Sequence, residues 1–181
     1  MTTKKYAQKH LSREIQLIES SDERMNTLPE LTVYEKAIIF KYSEDGYLDL
    51  NERLRLSEGK DISEFGILLD ECLSKLPDYQ GIVFRGVDLP KYIIDEYIVK
   101  LSNNEFVTET AFLSTSLKVN EAYKYGMTTL RIFSERGKFI GSISKYQNEK
   151  EVLFRYNTTF EIIAVDFDKE NNKYFISLEE L

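Results

Sequence analysis

The apolar residues of this chain change their spacing near residue 80, and that change limits what it can fold into. Before it they recur at helical intervals; after it they gather in short runs between turn residues. Ala7, Leu11, Ile15 and Ile18 form one helical stripe. Thr32-Val33-Tyr34-Glu35 has the form of a capping box, opening a second helix through about residue 41. Ser43-Glu44-Asp45-Gly46 reads as a turn, with a shorter helix over 48–56. Asp61 and Glu64 suggest another helix start, with Asp61 as the cap. Ile62, Phe65, Leu68, Leu69, Cys72, Leu73 and Leu76 then share one face until Pro77 stops it. Residues 81–85, 112–116, 128–133, 139–143, 152–154, 160–167 and 174–178 read as strands, the last two joined by a hairpin around Glu170-Asn171-Asn172. A helix over 89–101 is opened by Pro90. Helices followed by strands indicate an α+β fold. The 181 residues fit a single domain, helical over about 1–80 and strand-rich over about 81–181.

Composition narrows the chemistry. His10 is the only histidine and falls in a polar opening helix, where a surface position is expected. A surface histidine there leaves Ser-His-Asp and Cys-His catalysis without a base, and a single histidine excludes a multi-histidine metal site. Cys72 is the only cysteine, so no intrachain disulfide and no thiolate cluster can form. Its place on an apolar helix face predicts a buried thiol. No metal is expected, and catalysis here must run on carboxylates, hydroxyls, Lys or Arg. The net charge of −7 argues against broad phosphate-backbone binding, so nucleic acid is not the expected partner. No apolar run approaches the roughly 20 residues of a membrane span. The polar start MTTKKYAQKH shows no signal peptide.

Three short motifs carry the chemistry. In Glu149-Lys150-Glu151, an extended backbone would turn both glutamates to one side. Two close carboxylates separate their pKa values, which suits a division of labour. Asp166-Phe167-Asp168 has the same spacing, but its place before the hairpin turn favours solvation, and spacing alone does not separate the pairs. Arg85 ends one apolar run and Ser114-Thr115-Ser116 closes another. Taken singly, each is an ordinary surface feature: a solvated loop, an arginine at a strand end, polar residues at a strand end. Their order along the chain is what sets them apart.

Gly81-Ile82-Val83-Phe84-Arg85-Gly86, Ala111 through Ser116, and Gly137 through Phe154 resemble, in sequence, the three signatures of the arginine–serine–glutamate mono-ADP-ribosyltransferases. Tyr42 to Asn51 with Leu54-Arg55 is similar to the tyrosine–asparagine helix that precedes them in bacterial toxins of that group. The match spans about residues 30–165. It implies two small crossed β-sheets flanked by helices, with NAD in the cleft between them. It implies cleavage of NAD as co-substrate and transfer of ADP-ribose to an arginine of a target protein, glutamate at position 149 marking the arginine acceptor. By the same resemblance Glu151 holds the ribose 2′-hydroxyl, Ser114 orients Glu151, and Glu149 acts on the incoming nucleophile. Arg85 would clamp the NAD phosphates. Gly86, Thr115 and Ser116 would form the cofactor wall with Tyr42 and Asn51. Tyr125 would lie against nicotinamide, and Tyr146 would recognise the target, although either ring could equally be core packing. Tyr47 reads as a pocket residue or as helix packing.

Actin is not carried over as the target. Actin-modifying relatives often have a second arginine where this chain has Gly86, and residues 117–127 offer only Lys118 and Lys124 as cations. The resemblance implies a monomeric bacterial or phage effector, secreted or injected into the target-cell cytoplasm, with a cognate immunity protein as a further partner. Within the same chemistry stand NAD hydrolysis and transfer to nucleic acid. A catalytically inactive binding module would have lost its glutamates. A carboxylate-pair glycoside hydrolase would leave Arg85 and the Ser-Thr-Ser stretch unexplained.

Overall fold

Helices in the first half begin where a side chain takes up free backbone N–H groups. The computed structural model describes residues Met1–Leu181. Thr2 caps α1 (Thr3–His10), α2 (Ser12–Glu19) follows, and Ser21 caps α3 (Asp22–Asn26). The stripe expected to be one helix is therefore two, because Leu11 takes φ −128° and ψ 35° between them. Ala7, Leu11 and Ile18 are nevertheless all buried. Thr32 and Glu35 close the expected capping box: the Thr32 N–H donates to the Glu35 carboxylate at 2.7 Å and the Glu35 N–H to the Thr32 hydroxyl at 3.4 Å, opening α4 (Val33–Lys41).

Two expectations are corrected in the next stretch. Residues 43–46 do not break the chain direction; one π-helical turn (Tyr42–Gly46) carries α4 into α5 (Tyr47–Leu56). That wider turn leaves Tyr42 and Ser43 buried, the Ser43 hydroxyl donating to the Phe40 carbonyl at 2.8 Å. Asp61 does not cap α6 (Glu64–Ser74); Ser63 does, accepting from the Gly66 N–H at 3.2 Å. Asp61 is taken instead by the Arg53 guanidinium, in a two-pronged contact at 2.9 and 2.6 Å.

The second half adds β1 (Asp78–Val87), α7 (Lys91–Ser102), β2 (Phe106–Glu109), β3 (Leu113–Ser116), α8 (Val119–Tyr123), β4 (Thr128–Phe139), β5 (Glu151–Phe154), β6 (Thr158–Asp168) and β7 (Lys173–Glu180). β4 replaces the two strands expected over 128–133 and 139–143, and Ile140 and Ile143 fall in the turn after it. The polar middle of β4 stays extended because the Glu180 carboxylate accepts the N–H groups of Glu135 and Arg136, both at 2.7 Å. β1, β4, β7, β6 and β2 lie side by side, with β4 and β7 the parallel pair. β3 and β5 form a second, short antiparallel layer. It is stitched to β1 through Phe84 and Ser116 and to β4 through Phe139 and Val152, so the seven strands are one continuous ladder. Asp168 closes the expected β6–β7 hairpin by accepting the Glu170 and Asn171 N–H groups at 2.9 and 3.2 Å.

The short layer is wedged between two cores. Leu153 joins the helical core with Leu69, Leu73, Ile38 and Phe112. Its neighbours Val152 and Phe154 point the other way, into the sheet core with Ile132, Ile176 and Leu178. Leu69→Ala should destabilise the protein by about 2–5 kcal/mol through the cavity it leaves. Urea denaturation measures this; a loss under about 1 kcal/mol would show that the helical core collapses around the gap.

Candidate active site

Strand register builds the centre of the site. Ser116 pairs with Glu151 across β3 and β5, and Ser114 with Leu153. Alternation along each strand then sets Ser114 and Glu151 on one face, diagonally opposed. The Ser114 hydroxyl donates to Glu151 Oε1 at 2.7 Å. A second hydroxyl, Ser144, donates to Oε2 at 2.8 Å. Glu151 is 5% exposed. Burial pushes its carboxyl above the ordinary range; the two hydroxyls pull it back, Glu149 adds to the rise and Arg85 opposes it.

Glu149 reaches the same cavity by a different route from the one expected. It ends a tight 3₁₀ turn (Gln147–Glu149), and Lys150 has a left-handed backbone with φ 52° and ψ 54°. The extended i,i+2 argument therefore fails: Glu151 begins the strand and Glu149 stands before it. The Ser116 hydroxyl donates to the Glu149 carbonyl, and the Leu117 N–H holds the Lys150 carbonyl at 3.2 Å. Glu149 is half-buried, its carboxyl raised by burial and by Glu121, with Lys124 opposing.

Both glutamates line a cavity of about 700 Å³ with Tyr42, Asn51, Arg85, Gly86, Ser114, Ser116, Tyr125 and Tyr146. The Arg85 guanidinium donates to the Ser114 carbonyl at 2.7 Å and lines the cavity with its remaining surface. Gly86 lets α8 close over β1, since a Cβ there would overlap the Ala122 and Tyr125 carbonyl oxygens. Asn51 grips the backbone just before β3: its side-chain amide donates to the Phe112 carbonyl at 3.1 Å and accepts the Phe112 N–H at 3.2 Å. Tyr42, its hydroxyl 3.2 Å from the same amide, is 1% exposed. Tyr125 and Tyr146 are 56% and 54% exposed at the cavity, so neither is core packing.

Thr115 is a correction. It points away from the cavity and its hydroxyl donates to the Val152 carbonyl at 2.6 Å, as strand alternation requires of the residue between Ser114 and Ser116. Asp166-Phe167-Asp168 takes no part in the cavity. Arg55, Tyr47, Ser43, Phe84, Ala122 and Glu121 line it without having been assigned there from sequence, although Tyr47 was weighed for it. Ser144 was likewise not singled out. No group of three or more His, Cys, Asp or Glu side chains is placed to hold a metal ion, and no helix is long and apolar enough to cross a membrane.

The turn carrying Ser144 and Tyr146 is tied to the helices. The Lys145 N–H donates to the Ser43 hydroxyl at 2.8 Å, and the Lys145 ammonium meets Glu44 at 2.9 Å. Glu44 is also held by Arg13 at 2.6 and 2.9 Å.

A buried carboxylate between two hydroxyls, a second glutamate and an arginine thus share one cavity on a helix-flanked two-layer sheet. The chain belongs to the ADP-ribosyltransferase exoenzyme family, whose model it matches over residues 3–181. It is 33% identical over 182 residues to Mav of Mycobacterium avium (strain 104), provisionally named an NAD(+)–arginine ADP-ribosyltransferase, covering 97% of this chain and 21% of that protein. It is 32% identical over 148 residues to the NAD(+)–protein-arginine ADP-ribosyltransferase Tre1 of Serratia proteamaculans, covering 80% of this chain and 31% of that protein. The chain thus spans a third or less of the length of these two relatives. Among solved structures, ADP-ribosyltransferase HopU1 of Pseudomonas syringae superposes with a TM-score of 0.81 at 19% identity, over 93% of this chain and 86% of that one. Exoenzyme S of Pseudomonas aeruginosa, solved with 14-3-3 protein beta and carba-NAD, gives 0.76 at 21% identity, over 98% and 88%. The expected fold class is the one observed.

The Glu44 tie has a pH signature. Arg13, and after it Lys145, hold this carboxyl down to about 2 against the opposing effect of burial, whereas its ordinary value is 4.5. A depressed carboxyl contributes stability that is complete above the unfolded value and lost as pH falls toward the folded one. Urea unfolding between pH 5 and pH 2 should therefore weaken the wild type more than Glu44→Gln, by about 1 kcal/mol or more. Parallel curves for the two proteins would remove the tie as a contributor.

Proposed function

We propose that residues 1–181 form one catalytic domain that cleaves NAD and transfers ADP-ribose to an arginine of a target protein. The observation carrying this reading is the Glu151 carboxylate, enclosed at a cavity of about 700 Å³ with its two oxygens on Ser114 and Ser144 and with Glu149 and Arg85 on the same cavity. The names of Mav and Tre1 support the arginine acceptor.

In the reaction, the bond from the nicotinamide nitrogen to ribose C1′ breaks and its electron pair leaves with nicotinamide. Positive charge develops on the ribose ring, as in glycoside cleavage. Glu151 accepts a hydrogen bond from the 2′-hydroxyl and stabilises that charge; a carboxylate has lone pairs enough for this beside its two serines. An arginine guanidinium nitrogen forms the new bond to C1′ and gives its proton to Glu149. Arg85 binds the phosphates through the planar donors that do not reach Ser114. Asn51 and Tyr42 position β3 from behind, Tyr125 lies against the nicotinamide ring, and Tyr146 meets the acceptor. In this reading the chain is the catalytic part of an effector.

Glu151→Ala should lower NAD cleavage and transfer to agmatine together, by at least about 10²–10³-fold. Labelled NAD with and without agmatine reads both; cleavage surviving intact would remove Glu151 from the ribose. Glu149→Ala should lose transfer by about 10²-fold or more while part of the NAD hydrolysis persists. Arg85→Ala should raise the KM for NAD by about 10-fold or more, and an unchanged KM would contradict its phosphate role. Because burial raises Glu151, the reaction requires its proton to leave above the ordinary carboxylate range. The acid limb of kcat/KM should accordingly stand above pH 4.5, the ordinary glutamate value.

A further inference from the structure

Ser144 lies in the turn after β4, seven residues before Glu151, and is 1% exposed. Its backbone is fixed on both sides. The N–H donates to the Ile140 carbonyl at 3.0 Å, and the carbonyl accepts from the Arg24 guanidinium at 3.4 Å. The hydroxyl is thus free to serve something other than its own turn, and it donates to Glu151 Oε2 at 2.8 Å. The same oxygen accepts the Tyr146 N–H at 3.4 Å, a double use that a serine hydroxyl permits.

One hydroxyl on one oxygen would leave the Glu151 carboxylate free to swing about its terminal torsion, which is soft in glutamate. Ser114 on Oε1 and Ser144 on Oε2, from separate segments, remove that freedom. Resting on the reading of Glu151 as the ribose-facing carboxylate, we infer that Ser144 is a positioning residue. It fixes the plane of Glu151 through the second oxygen and joins that plane to the Tyr146 turn. The bland reading is a buried turn serine that only fills space. The two differ in one respect: a hydroxyl donating to a carboxylate favours the ionised form, and one that only packs does not. Removing the donor leaves Glu151 as buried as before with one hydrogen bond fewer, so its proton is held to higher pH.

The test uses the full chain labelled with ¹³C at the glutamate side-chain carboxyls, with the Glu151 signal identified by its loss in Glu151→Gln. Ser144→Ala should raise the Glu151 titration midpoint by about one pH unit. Ser144→Cys keeps a side chain of similar size with a weaker donor and should fall between alanine and wild type; it carries the same test if the alanine variant does not fold. With NAD and agmatine, Ser144→Ala should lower kcat by up to about 100-fold, with the KM for NAD within about threefold. The acid limb of the profile should move upward with the midpoint. An unmoved Glu151 midpoint in both variants, with kcat unchanged or lowered equally at every pH, would overturn the inference and leave Ser144 a packing residue. Failure of the wild type to turn over NAD would overturn the proposed reaction instead, while the titration would still decide whether Ser144 holds the carboxylate.

Discussion

Burial pushes the Glu151 carboxyl toward its neutral form, and two serine hydroxyls, one on each oxygen, act in the opposite direction. At 5% exposure the loss of water is the largest influence on its proton, and the nearby Glu149 adds to it. Against these act two short hydroxyl contacts and the Arg85 guanidinium. The arrangement depends on register. A slip of one residue between β3 and β5 would send Ser114 and Glu151 to opposite faces of the layer. Thr115 resists that slip from the far face, its hydroxyl fastened to the Val152 carbonyl at 2.6 Å. The residue corrected out of the cavity is thus one that keeps the cavity in alignment.

The helical half reaches the same carboxylate from the other side. Asn51, on α5, binds both polar backbone groups of Phe112, and Ser114 follows two residues later. Ser43, in the π-helical turn, accepts the Lys145 N–H, and Ser144 precedes it. Each serine on Glu151 is therefore anchored within two residues by a side chain from the helices. The π turn matters here because it keeps Tyr42 and Ser43 inward while Glu44 takes Arg13 and Lys145. Damage to the helical core should reach the chemistry through these contacts and through Tyr42, which belongs to that core and also lines the cavity.

Much of this was legible in the order of residues, and the misses have physical causes. The Thr32–Glu35 capping box is a local device, complete within one turn, and reading it needs nothing distant. Asp61 failed as a cap because Arg53, on the preceding helix, takes its carboxylate, and a capping pattern read forward from Asp61 does not show that partner. β4 looked broken because Ser134 to Gly137 is polar; it is continuous because Glu180, 45 residues from Glu135, lends it a carboxylate. Arg85, Ser114 and Glu151, singled out by their resemblance to the family's signatures in order along the chain, all line the one cavity. The extended-strand argument brings Glu149 to the same cavity as Glu151 for a reason that does not hold, since Lys150 is left-handed. Ser144 had no local signal at all: a serine in a turn looks the same whether it faces water or a buried carboxylate.

The two glutamates differ in what is held. For Glu151 the carboxylate itself is fixed, oxygen by oxygen. For Glu149 it is the backbone that is fixed, by the Ser116 hydroxyl on its carbonyl, while the half-buried side chain is left without a hydrogen-bond partner in the protein. The left-handed Lys150 between them is a conformation that non-glycine residues enter at a cost, about 1–2 kcal/mol. It separates the two by breaking the strand at the one place where an extended chain would have made them equivalent. In the proposed reaction the fixed carboxylate meets a ribose whose position the cavity sets. The looser one, beside Tyr146 at the mouth, meets an acceptor arriving from outside, and a group that must follow an incoming guanidinium is better held by its backbone than by its oxygens.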